Sequence, residues 1–304
     1  MSFTVTILGS GAALPTKTRN PTSQYVECRG RKIVIDCGEG TQVQFRKYGV
    51  KFQKVEHILI SHLHGDHYFG LVGLLSSMHL LGRKKSIEIY GPDGLKQILD
   101  LQLQYGGSRL SFEINFHTLD TTNSGIAFED DKILIKHFPL SHKVPTNGFL
   151  IQEKEKERTL LIEKCQRDNI KIQFYQYLKR GENVLGDDGK EIRFEDYTLK
   201  VEKSKSYAFC SDTRYFEPII EEIKDVNLLY HEATFTEDFR DRAKSTMHST
   251  TKDAANIAKK ASVGKLLLGH LSARYENGSQ HELEAREIFE NSVIVEDGDK
   301  FEVI

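Results

Sequence analysis

No apolar run in this 304-residue chain approaches the roughly 20 residues needed to cross a bilayer, so no membrane partner is expected. The opening residues, Met1-Ser2-Phe3-Thr4-Val5-Thr6-Ile7, lack the charged, apolar and cleavage regions of a signal peptide, and the expected location is cytoplasmic. Cysteine is scarce. Its four copies, Cys28, Cys37, Cys165 and Cys210, form no CxxC pair, and Cys37 and Cys210 stand in apolar runs that suit buried free thiols, so no disulfide framework is expected. A charge excess is also missing. The formal net charge of -2 excludes blanket attraction to nucleic acid, and any grip on RNA must come from local patches.

What the chain does have, 38% hydrophobic and 28% charged residues, builds one large core with room for an inserted arm or small second domain. The first third alternates apolar or β-branched runs with glycine turns. Val5 to Leu8, Gln24 to Cys28 and Lys32 to Cys37 read as strands, and Thr41 to Tyr48 as a short helix with Val43 and Phe45 among its apolar positions. The step recurs where Ile58-Leu59-Ile60 leads through a histidine cluster into the glycine-containing helix Phe69 to Leu75. Strand, glycine turn and helix in repetition point to a layered α/β fold. From about 151 to 205 the composition shifts to dense mixed charge, an excursion from the core. Within it Lys164, Arg167, Lys171, Lys179 and Arg180 stand among Phe174, Tyr175 and Tyr177. That mixture suits either a phosphate backbone with stacked bases or a solvated helical hairpin with a small apolar seam.

The chemistry gathers where apolar runs end. His57 to Ser61 ends at His62, Lys136 to Ser141 at His142, Tyr207 to Ser211 at Asp212, and Lys265 to Gly269 at His270. In an open α/β sheet neighbouring strand ends share one crevice, so side chains far apart in sequence can meet there. The cluster His62-Leu63-His64-Gly65-Asp66-His67 sets His62 and His64 two apart on an extended exit, pointing the same way, with Asp66 and His67 starting the helix. Burying so many polar side chains directly after an apolar strand is costly unless a metal satisfies them. Two histidines on one ion and an Asp-His pair on the next leave each short of ligands, which His142 and His270 can supply while Asp212 bridges. Imidazole and carboxylate without thiolate suit zinc, with manganese or iron also compatible. The isolated His57, His79, His117, His137 and His281 read as surface or satisfied core residues.

These residues and several longer segments resemble the ribonuclease Z family of the metallo-β-lactamase superfamily. The segments are Leu8 to Thr16 with Arg19-Asn20, Ile35 to Gln42, Ser61 to His67, Ile89 to Pro92, Ser211 to Arg214, His231 to Phe235, Met247 to Thr250 and Gly269 to Tyr275. The histidine cluster marks the superfamily alone, whereas HEATF, MHST and GHLSARY are more specific. The resemblance implies a single domain over 1–304, a four-layer αβ/βα sandwich with an inserted, protruding RNA-binding arm at about 151–205. It assigns His62, His64, His142 and Asp212 to one ion, and Asp66, His67, Asp212 and His270 to the other, as two zinc ions per chain. It further implies a homodimer acting on precursor tRNA, with one subunit's arm serving its partner's site. The match departs from the family at Asn169 to Gln176, where the well-known arms carry a glycine- and proline-rich tip, and at Tyr215, where proline is frequent.

The mechanism expected on this basis is two-metal hydrolysis of a phosphodiester, with Asp66 orienting the attacking hydroxide and His248, raised in pKa by Glu232, protonating the leaving 3′ oxygen. On spacing alone His248 reads rather as a helix-start residue beside Ser249, Thr250 and Asp253, and it is the resemblance that makes it the acid. Arg274 and Arg214 could neutralise phosphate charge or pair on the surface, and Lys179 and Arg180 are the arm's candidate RNA contacts. The alternatives are another metallo-β-lactamase-fold hydrolase, acting on a small phosphodiester, lactam or thioester, and a noncatalytic RNA-binding relative.

Overall fold

The computed structural model describes residues 2–201 and 203–304; Met1, in the amino-terminal run read above, and Glu202, inside the charged excursion, lie outside the described residues. The chain divides into two compact units, residues 154–204 and the remainder. The charged excursion therefore starts at Lys154, because Ile151 to Glu153 finish a strand of the larger unit.

In chain order the larger unit contributes strands β1 (Phe3–Gly9), β2 (Ser23–Cys28), β3 (Arg31–Cys37), β4 (His57–Leu59), β5 (Ile87–Gly91), β6 (Ile114–Thr118), β7 (Gly125–Glu129), β8 (Ile133–Leu140) and β9 (Thr146–Glu153). The smaller unit holds the two-residue ribbon β10 (Val184–Leu185) and β11 (Glu191–Ile192). β12 (Ser206–Cys210), β13 (Leu228–Glu232), β14 (Lys265–Gly269), β15 (Ser292–Ile294) and β16 (Lys300–Glu302) complete the larger unit. One seven-stranded sheet runs β16-β1-β2-β3-β4-β5-β6 and the other β15-β14-β13-β12-β9-β8-β7. Each is half antiparallel and half parallel, the parallel runs being β3 to β6 and β12 to β15.

Alternation along the strands builds the layers. Ile33, Ile35, Leu59, Phe149, Phe209 and Leu267 point between the two sheets and form a shared core. Their neighbours Val34 and Ile58 turn outward onto helices α1 (Thr41–Lys47), α3 (Leu71–Leu80) and α4 (Leu95–Tyr105) through Phe45, Leu74, Met78 and Leu99. On the second sheet Ala208, Leu266 and Leu268 meet Ala255, Ile257 and Ala258 of α9 (Thr251–Lys260) and Ala285 of α10 (Ser279–Arg286). Helix, sheet, sheet, helix is the expected four-layer arrangement. Val43 departs from the sequence reading. It is 61% exposed because its position on the one-sided helix α1 faces away from Phe45.

A close approach fixes the short helix α2 (Gly65–Tyr68), which carries Asp66 and His67. A Cβ at Gly70 would lie 2.0 Å from the Gly38 carbonyl oxygen, so only glycine lets the α2–α3 junction sit against the end of β3.

The smaller unit contains α5 (Ile162–Arg167), α6 (Tyr175–Lys179) and α7 (Phe194–Tyr197) beside its β ribbon. Its apolar seam is small, with Cys165 and Leu178 buried. Helices of four to six residues and a ribbon replace the simple helical hairpin of the sequence reading. The turn at Gly186 to Gly189 selects the ribbon, with Gly189 at φ 75° and the Gly186 N–H donating to the Lys190 carbonyl at 2.8 Å. No helix among the described residues is long and apolar enough to cross a membrane.

Candidate metal centre

β4, β8, β12 and β14 all end at one rim of the larger unit, and the residues just beyond them meet there. β8 and β12 are both antiparallel to β9, which brings their carboxy-terminal ends to the same side. His62, His64, His142 and Asp212 form one group whose ligand atoms lie within 4.8 Å of one another, and Asp66, His67 and His270 form a second. The Asp212 carboxylate spans the two. Its Oδ2 is 3.6 Å from His62 Nε2 and 3.5 Å from His142 Nε2, while its Oδ1 is 3.3 Å from His67 Nε2 and 3.2 Å from His270 Nε2. Asp66 Oδ2 faces the same second pair at 3.4 Å and 3.5 Å.

Hydrogen bonds behind the rings decide which nitrogen faces inward. His62 Nδ1 meets the Ser61 hydroxyl at 2.9 Å, and that hydroxyl donates to Asp36 Oδ2 at 2.8 Å. His67 Nδ1 donates to Asp36 Oδ2 at 2.7 Å, His142 Nδ1 to the Met247 carbonyl at 2.9 Å, and His270 Nδ1 to the Thr234 hydroxyl at 2.9 Å. Each bond occupies Nδ1 and leaves Nε2 with its lone pair directed into the centre. His64 is turned the other way, its Nδ1 lying 3.0 Å from His62 Nε2.

Two observations fit this donor set to divalent metal. The Nε2 atoms of His67 and His270 are buried and have no hydrogen-bond partner among the described residues, which is costly unless a cation receives their lone pairs. The carboxylates of Asp36, Asp66 and Asp212 also crowd His67. Burial opposes a charged ring there, but Asp212, Asp66 and Asp36 outweigh it and push its pKa well above the usual value. Burial works against charge on Asp66 and Asp212 too, yet the surrounding imidazoles hold both well below the carboxylate range. Burial pulls His62, His64 and His142 below the usual imidazole value, which favours the neutral ring a metal would need.

Backbone strain concentrates here. Ala13 (φ 60°), Asp36 (56°), Met247 (59°) and His270 (59°) are left-handed without being glycine, and each is a donor residue or bonds one.

Beside the donors stands a second constellation. His248 Nδ1 donates to Glu232 Oε1 at 2.9 Å, and Glu232 is fully buried at the end of β13. Thr213 N–H and the Thr234 hydroxyl also donate to that carboxylate, at 2.9 Å and 2.7 Å. Burial lowers the His248 pKa, but the Glu232 charge and hydrogen bond prevail and push it up to about 9. His248 also lies within ligand reach of Asp212 and His270, although its Nδ1 is engaged by Glu232.

His64, Asp66, His142, Asp212, His248 and His270 line a cavity of about 740 Å³ with Lys143, Arg242, Arg274 and the exposed Phe69 and Leu14 at its rim. The Arg274 guanidinium lies over the rings of Phe239 (4.4 Å) and Phe235 (5.2 Å). Arg214 is outside that lining, its Nε donating to the Ser141 hydroxyl at 2.9 Å. In the smaller unit Lys179 pairs with Glu157 at 2.5 Å, and Arg180 is exposed beside it in a cleft of about 480 Å³. The isolated histidines are elsewhere: His57, His137 and His281 are buried, His117 pairs with Glu88 and His79 with Ser111.

Sequence reasoning gave no role to Asp36, Ser61, Thr234 or Met247. All four stand in the quoted segments, which is the only signal they carry, and of the first three Ser61 alone adjoins a donor residue in the chain. Met247 acts through its carbonyl, which no side-chain pattern reports.

Comparison with known proteins adds the lineage. The family model described as anti-Pycsar protein Apyc1 matches residues 3–291. A ribonuclease Z of Parabacteroides distasonis is 42% identical over 301 residues, 99% of this chain and 99% of that protein. One of Porphyromonas gingivalis is 40% identical over 292 residues, 96% of each. Among solved structures, the short form of human tRNase Z gives a TM-score of 0.72 at 26% identity over 99% of both chains. The metallo-beta-lactamase fold protein YhfI of Bacillus subtilis gives 0.69 at 19% identity, covering 99% of this chain and 100% of that one, a likeness of fold.

Proposed function

The chain belongs to the ribonuclease Z family and to the family of the Apyc1 model, and from that premise we propose that it is an endoribonuclease removing the 3′ trailer of precursor tRNA. The observation that carries this reading is the Asp212 carboxylate, one oxygen turned to each donor group, beside the Glu232–His248 pair. His62, His64, His142 and Asp212 would hold one ion, and Asp66, His67, His270 and Asp212 the other. Donors of imidazole and carboxylate without thiolate favour zinc, with manganese or iron as the alternatives. When bound, such a pair supplies Lewis acidity and charge neutralisation at the scissile phosphodiester.

The chain's own groups do the rest. Asp66 orients the attacking water. Because His248 Nδ1 is committed to Glu232, Nε2 is the atom left to protonate the departing 3′ oxygen, and the carboxylate keeps the ring charged until it does so. The products are a tRNA 3′-hydroxyl and a 5′-phosphorylated trailer. Arg274, stacked on Phe235 and Phe239, neutralises phosphate at the cavity wall; the Ser141 bond of Arg214 favours a role in supporting the loop before His142. Residues 154–204 act as the tRNA-binding arm through Lys179 and Arg180, and the enzyme works in the cytoplasm as a homodimer.

The test combines metal analysis with cleavage of a trailer-bearing precursor tRNA, using bis(p-nitrophenyl) phosphate as a small-substrate control. Two ions per chain and a single cut before the trailer support the reading. Hydrolysis of the small ester without tRNA cleavage would reassign the chain as a small-phosphodiester hydrolase, and tRNA binding without metal or cleavage as a noncatalytic relative.

A further inference from the structure

Asp297 lies in the turn between β15 and β16, remote in sequence from every donor residue. Its carboxylate nevertheless accepts an unusual set of hydrogen bonds. Oδ1 takes the backbone N–H and the hydroxyl of Ser10, both at 2.8 Å. Oδ2 takes the backbone N–H of Asn20 at 2.8 Å, its side-chain amide at 2.9 Å and that of Gln44 at 3.0 Å. Ser10 begins the loop joining β1 to β2 and Asn20 stands three residues before β2, so one carboxylate clasps the loop shut. The Gly11 N–H, donating to the Asn20 carbonyl at 2.9 Å, reinforces the clasp.

That loop touches one half of the centre. The Ala13 N–H donates to Asp66 Oδ2 at 2.8 Å, the oxygen that faces His67 and His270. Ala13 is at φ 60°, a conformation alanine holds only where its surroundings impose it. The loop also grips the residue after His270: the Ala12 N–H donates to the Leu271 carbonyl at 3.0 Å, and the Leu271 N–H to the Ser10 carbonyl at 3.1 Å. The rings themselves are oriented from elsewhere, His62 by Ser61, His67 by Asp36, His142 by Met247 and His270 by Thr234, so the loop bears on the Asp66 carboxylate and on the backbone next to His270.

We infer that Asp297 is a positioning residue for the Asp66, His67 and His270 half of the centre. It holds the loop so that the Ala13 amide fixes the Asp66 carboxylate and the Ser10–Leu271 pairing fixes the backbone carrying His270. The inference rests on the proposed assignment of those side chains as ligands. An asparagine at 297 keeps the shape but offers one acceptor oxygen in place of two and turns an N–H donor toward other donors.

The zinc-loaded full chain is challenged with a graded chelator series, and metal per chain is measured alongside the melting temperature. Asp297→Asn is expected to release one ion at roughly 10- to 100-fold lower chelator strength while the other leaves as in the unsubstituted protein. Equal loosening of both ions with a fallen melting temperature would show a merely structural role and overturn the inference, as would unchanged release of both. Should Asp297→Asn fail to fold, Ser10→Ala removes one donor to the same carboxylate and is read the same way. Fewer than two ions on the unsubstituted chain would overturn the two-ion assignment itself, and the inference with it.

Discussion

At the scale of single residues, the division between ion holding and proton transfer is testable. Asp212 serves both donor groups through separate oxygens, so Asp212→Ala should lose both ions and all cleavage; a variant retaining two ions per chain by metal analysis would refute the bridging role. His248 is predicted to behave differently. His248→Ala should keep its metal yet lose roughly 10²–10⁴-fold in cleavage rate, the usual worth of a general acid. The sign of its pH dependence follows from the pKa. A ring pushed up to about 9 is protonated below that pH, so cleavage should fall as pH rises through about 9. Glu232→Gln removes the charge that raises the ring and leaves the burial that lowers it, so the alkaline limb of the rate profile should move to lower pH. An unmoved limb would assign the titration to another group. The types and order of these residues were legible in the sequence. It left open which nitrogen of each histidine faces inward, because partners such as Asp36, Thr234 and the Met247 carbonyl are chosen by folding.

At the scale of elements, local sequence explains how His248 is presented. It stands two residues before the N-cap of α9, where the Thr250 hydroxyl accepts from the Asp253 N–H and the Asp253 carboxylate accepts from the Thr250 N–H at 3.0 Å. The same segment bonds back to the HEATF strand end, since the Thr251 N–H donates to the Phe235 carbonyl at 2.9 Å. Thr250→Ala should therefore cost about 1 kcal/mol in a urea titration, a typical cap loss. It should also lower the cleavage rate, because His248 loses its anchor. A variant with normal stability and normal rate would show that the cap positions nothing. The early strands and α1 were legible from alternation and glycine punctuation. The short pieces of residues 154–204 were not, because helices of four to six residues carry too little periodicity to be told from charged coil.

At the scale of the whole molecule, residues 154–204 are inserted where the chain leaves and re-enters one strand pair. The Glu153 N–H donates to the Lys205 carbonyl at 2.9 Å, so the ends of the insertion are already adjacent. Replacing 154–204 by a short glycine-serine linker should leave bis(p-nitrophenyl) phosphate hydrolysis near its full rate while abolishing precursor-tRNA cleavage. Lys179→Ala with Arg180→Ala should give a milder version, with weaker tRNA binding and a shallower salt dependence. Equal losses on both substrates would remove the insertion from RNA recognition.

By itself the sequence determined the layered α/β class, the strand ends at His62, His142, Asp212 and His270, and the place of the charged insertion. Strand alternation and the clustering of His and Asp after apolar runs are local properties, written in consecutive residues. Tertiary structure decided that one Asp212 oxygen faces each donor group, that the Nδ1 atoms of His62, His67, His142 and His270 are bound from behind, and that Asp297, near the end of the chain, clasps a loop near its start. Those relations depend on backbone carbonyls, left-handed residues and contacts across hundreds of positions, and a linear pattern carries no distance between them.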